Sequence, residues 1–170
     1  MSVYNDVIFK EFNLTPRAKE AYKDAYLLSK ELGHKNINNL HVFYGCMKNS
    51  SKHLDSFFFN NGVIISDEDI ISVICKAKES DNDKFFVNDN SDPWHKEVIE
   101  AVKEANNISN KLNQYYVGIE HVILGIIKTS SYVFDNLEDH ILDFASFKTN
   151  LNSFIIEDLD GFDELVEDMS

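Results

Sequence analysis

A chain of 170 residues with 44% apolar content is the size of one compact domain, able to bury a sizeable core with no disulfide or metal to hold it. Its 29 acidic against 16 basic side chains give a net charge of -13, a field that repels phosphate backbones and anionic lipid, so neither nucleic acid nor a membrane is an expected partner. Cys46 and Cys75 stand far apart and outside any C-x-x-C spacing, no signal peptide is visible, and no stretch reaches the eighteen apolar residues of a membrane span; plain thiols in a cytoplasmic protein are expected.

The first strong element is an amphipathic helix over 15–32. Thr15 before Pro16 is an N-cap followed by a first-turn proline, Ala18, Ala21, Tyr22, Ala25, Leu28 and Leu32 line one face, and Gly33 is placed for a left-handed cap. A second helix is predicted over Asn39–Lys48. Ser50 or Ser51 caps a third that ends near Gly62, and Ser66 with Asp69 forms a capping box for a fourth. Residues 80–91 have the Asp, Asn and Ser content of a linker, interrupted by Phe85 and Phe86, an aromatic pair expected to fold back over a core.

Beyond the linker the pattern returns at an offset of eighty residues. Val98, Ala101, Val102, Ala105, Ile108 and Leu112 repeat the apolar face of the first helix, and the register continues through Ile37 and Val117, His41 and His121, Gly45 and Gly125, and Lys48 and Lys128. Asp92 before Pro93 reads as the second long helix's start, Asn113 as its left-handed cap, 119–128 as the next helix, and Thr129 or Ser130 as the start of a third. Ile141, Phe144, Ala145, Phe147, Leu151, Phe154 and Ile155 make a fourth. The expected fold is all-α: about eight helices in two pseudo-symmetric four-helix repeats, 12–79 and 92–156, packed as one domain over 1–156. An acidic tail follows at 157–170, with seven carboxylates and no base. In it Phe162, Leu165, Val166 and Met169 fall on one helix face, which reads either as a groove-docking helix or as a solubilising end.

The strings LTPRAKEAYKDAYLLSKELGH and NINNLHVFYGCM, and KLNQYYVGIEHVILGII in the second copy, resemble the Clp amino-terminal repeat, whose pattern runs Thr-x-Arg-Ala, a long helix, Leu-Gly-His, then Gly-Thr-Glu-His-Leu-Leu-Leu-Gly. The resemblance implies a module that captures substrates or adaptor proteins for a Clp-type AAA+ unfoldase, or a free-standing regulator that docks onto the motor or its protease. None of the six glycines is followed by lysine, so these residues hold no Gly-Lys-Ser/Thr phosphate loop. Some members of the family grip phosphorylated arginine with the Thr before the long helix and the Glu of the later motif, a hydroxyl for phosphate and a carboxylate for guanidinium. Carried over copy by copy, the first keeps Thr15 but has Leu40 at the Glu position, and the second keeps Glu120 but has His95 at the Thr position. Phosphoarginine binding is thus expected to be lost or confined to the second copy. His41 and His121 are expected to fix the loops before their helices rather than to bind metal. His34, His53, His95 and His140 show no H-E-x-x-H spacing, and no Ser-His-Asp arrangement is inferable from the residues, so no catalytic function, cofactor or metal is expected.

Overall fold

The computed structural model describes residues 7–80 and 93–157. After the single-turn α1 (Val7–Lys10), repeat one contains α2 (Pro16–Glu31), α3 (Asn39–Lys48), α4 (Lys52–Asn60) and α5 (Asp67–Ser80). Repeat two contains α6 (Lys96–Lys111), α7 (Ile119–Thr129), α8 (Tyr132–Asp135) and α9 (Phe144–Glu157), with a 3-10 turn at Glu138–His140. The chain is all-α: among the described residues β pairing is limited to three isolated bridges, all of which join the two repeats. Phe85 and Phe86, and the tail residues Phe162, Leu165, Val166 and Met169, lie outside the described residues.

The local signals explain the helix ends. The Thr15 hydroxyl accepts the Ala18 N–H, Pro16 sits at the first helical position, and Gly33 and Asn113 end the long helices at φ of 72° and 57°. Ser51 caps α4, and Ser66 and Asp69 exchange the reciprocal bonds of a capping box at α5. Three expectations are corrected. The second long helix begins at Lys96 rather than at Pro93, with His95 as its N-cap, because Nδ1 of His95 accepts the Glu97 N–H. The third helix of repeat two is one turn starting at Tyr132; Thr129 belongs to α7 and donates its hydroxyl back to the Gly125 carbonyl. Ile141 stands ahead of α9, in an antiparallel bridge with Val63.

In each repeat the long helix crosses the second helix at a glycine. A Cβ built on Gly45 would lie 2.0 Å from the Ala21 carbonyl oxygen, and one on Gly125 would lie 2.4 Å from that of Ala101, so both crossings bring backbone against backbone. That is why glycine recurs at this offset. One hydrophobic cluster holds residues of both repeats, including Tyr22, Phe43, Leu54 and Ile74 of the first and Trp94, Ile123, Leu137 and Phe147 of the second. Phe9 from α1 covers the seam, with its ring 4.6 Å from that of Tyr22 and 4.8 Å from that of Trp94.

Candidate protein-recognition site

The segment ahead of each long helix docks on the opposite repeat. Leu14 bridges Val117, and the Thr15 N–H donates to the Val117 carbonyl at 3.0 Å. At the pseudo-equivalent place Trp94 bridges Ile37, and the His95 N–H donates to the Ile37 carbonyl at 2.9 Å. Thr15 therefore shares a junction with the segment leading to Glu120, and His95 with the segment leading to Leu40. Grouping these residues within each copy, as the spacing suggested, does not match the geometry: the two residue types named by the resemblance stand at one junction and both departures stand at the other.

Thr15 and Glu120 are both buried. The Glu120 carboxylate folds back over Gly118, whose missing Cβ leaves the room it occupies, and it comes 3.2 Å from Nδ1 of His121. That nitrogen accepts the Gly118 N–H, so it carries no proton and the approach is not an ion pair. Nε2 of His121 carries the hydrogen and donates to the Gln114 carboxamide oxygen at 2.7 Å. Repeat one uses His34 where repeat two has Gln114: Nδ1 of His41 accepts the Asn38 N–H, and its Nε2 meets Nδ1 of His34 at 3.1 Å. Both recurrent histidines hold the loops ahead of their helices. Burial, then the nearby Glu120 carboxylate, push the Cys46 thiol up in pKa, which makes it an unreactive core group.

The second junction is polar without being open. Leu40 is buried in the core, and His95 is mostly covered. The Asn39 N–H at the first turn of α3 donates to Oε2 of Glu97 at 3.0 Å, while its carboxamide donates to the Glu97 carbonyl and to the Ser130 hydroxyl. Tyr132 donates its hydroxyl to the same carboxylate, and burial, then Glu97, raise its pKa. A carboxylate seated at a helix amino-terminus is electrostatically favourable, and here it ties α3 of one repeat to α6 and α8 of the other. Arg17 occupies the position eighty residues before Glu97, so the charge at this place inverts between repeats. That inversion is the sequence signal that would have marked Glu97. Among the described residues no group of three metal-ligating side chains comes together, and no helix is long and apolar enough to cross a membrane.

No protein-family model matches the chain. In sequence it is 29% identical over 136 residues to the ATP-binding subunit ClpC of the ATP-dependent Clp protease of Staphylococcus aureus, and to the same degree to that of Staphylococcus epidermidis. In fold it is similar to the N-terminal domain of the chaperone ClpD from Arabidopsis thaliana, with a TM-score of 0.67 at 14% identity over 89% of this chain and 98% of that one. The fold is that of a Clp amino-terminal domain. The Hsp104 N-terminal domain from Candida albicans shares it at a TM-score of 0.60 and 15% identity, over 82% of this chain and 89% of the other. The match to ClpC covers 75% of this chain but spans only 15% of the length of that relative.

Proposed function

We propose that this Clp-type domain is a non-catalytic protein-recognition module that binds substrate segments or adaptor proteins for a Clp-type unfoldase and its protease. The observation that carries the reading is the coincidence of sequence likeness and fold. The chain matches ClpC in sequence over 136 residues, and its fold is similar to the amino-terminal domains of ClpD and Hsp104. The chemistry fits. His95, Glu97 and His121 at the two junctions are mostly buried and engaged in holding loops and helix ends.

A chimaera tests it. When this chain replaces the amino-terminal domain of ClpC, the motor with its protease should degrade a client that the domain-deleted motor leaves intact. Equal degradation by the chimaera and the deleted motor refutes delivery. If the free chain, added in trans, changes the rate of the intact motor while the chimaera does nothing, the alternative of a separate docking regulator holds instead. A phosphoarginine site, as the resemblance implies for the family, would fall at the Thr15 and Glu120 junction alone, because Leu40 leaves a guanidinium without a carboxylate at the other.

A further inference from the structure

The antiparallel bridge between Val63 and Ile141 carries an exposed face that the fold does not use. Ile64 donates its N–H to the His140 carbonyl, and Leu142 donates to that of Gly62, so the pairs flanking the bridge are in register across the seam between repeats. Side chains alternate along paired strands; with Val63 and Ile141 buried, those of Ile64, His140 and Leu142 emerge on the other face. Ile64 is 62% exposed and Leu142 is 86% exposed. Leu142 stands over Gly62, whose Cβ, if present, would come 2.8 Å from the Leu142 Cβ. His140 leads directly into a cleft of about 310 Å³ lined by Asp69, Ser72, Lys76, Asn136 and Asp139. Nδ1 of His140 is 3.5 Å from the Asp69 carboxylate. Two exposed aliphatic side chains thus stand beside a polar cleft that holds two carboxylates, Asp69 and Asp139, and one lysine, Lys76.

We propose that this face docks a protein segment in which a large apolar residue is followed by a basic one, the apolar side chain lying on Ile64 and Leu142 and the cation entering the cleft toward Asp139 and Asp69. The proposal rests on the recognition reading and names the surface. Charge complementarity selects the occupant: the two carboxylates of the cleft outnumber its one lysine, Lys76, so an acidic segment would meet like charge at Asp69 and Asp139, and a purely apolar one would leave the cleft unused. Both aliphatic groups are already in water, so their substitution leaves the core untouched.

The test uses a fluorescein-labelled dodecapeptide with a Gly-Ser background and two Leu-Arg pairs, read by anisotropy against the full chain. Leu142→Ser should weaken binding about tenfold, the loss expected when a leucine no longer buries its surface. Asp139→Asn should weaken it a few-fold, and added salt should erase the difference between this variant and the parent. Peptides with Glu for Arg, or Ser for Leu, should bind at least tenfold more weakly than the parent. Circular dichroism confirms that the exposed-site variants keep their helices. If the peptide binds equally to the parent, Ile64→Ser and Leu142→Ser, this surface is refuted while recognition elsewhere stands. If the parent does not bind at millimolar concentration, or sediments as a dimer that Leu142→Ser dissociates, the peptide occupant is refuted. The ClpC chimaera reads delivery independently of this face.

Discussion

Replacing Gly45 with alanine will separate α2 from α3. The added Cβ would fall 2.0 Å from the Ala21 carbonyl oxygen and 2.8 Å from its carbon, against an ordinary contact of 3.4 Å or more. The obstacle is backbone, with no flexible end to swing aside, so the helices must part by about 1 Å. A gap of that size forfeits up to about half the attraction of each atom pair across it. On α2 that face is Ala18, Ala21, Tyr22, Ala25 and Leu28, all buried. Overpacking of this kind costs about 3 kcal/mol, while alanine's better helix propensity returns about 1 kcal/mol, leaving a net loss of about 2 kcal/mol. For a chain of this length that is a fall in Tm of roughly 4–8 °C. Thermal and urea unfolding of Gly45→Ala and Gly125→Ala should both show it, with Gly125→Ala the milder because its obstacle is 2.4 Å away. The two forces have opposite signs, so the outcome discriminates: a Tm that is unchanged or raised in Gly45→Ala would refute the close-crossing argument.

His95→Ala should cost about 1 kcal/mol by leaving the Glu97 N–H without its cap, and His95→Thr should restore it, since Thr15 does the same work in repeat one; a threonine variant no more stable than the alanine one would count against the assignment. Residues 1–84 expressed alone should lack the sharp unfolding transition of the whole chain, because Trp94, Val117 and Phe147 complete the core that repeat one enters; an equally cooperative transition at the same temperature contradicts this. Titration with phosphoarginine in a calorimeter should give either no heat or one site that Glu120→Ala removes, and two sites of equal affinity would be incompatible with a single Thr15 and Glu120 junction.

The offset of eighty, the apolar face of each long helix, the Thr15 cap, the Gly33 and Asn113 turns and the role of His41 and His121 were all legible in the residues, which narrow the cap of α4 to Ser50 or Ser51. The offset emerges from comparing the chain with itself, and each of the others depends on neighbours within a few helical turns, where period and cap chemistry act directly. Proline misled at the second start. Pro93 precedes α6 in a segment whose carbonyl accepts the Ile37 N–H, and that long-range bond holds it extended. The charge inversion between Arg17 and Glu97 was visible as letters, but its consequence depends on Asn39 of α3, Tyr132 of α8 and Ser130 in the turn before it. Duplication itself hid the arrangement of the junctions. Two copies of one motif offer each docking segment two acceptors of nearly equal local chemistry, its own repeat's and the other's, and no local preference separates them. Packing does: Leu14 and Trp94 each pair with the opposite repeat, and that exchange brings Thr15 to the Glu120 segment and leaves His95 with that of Leu40.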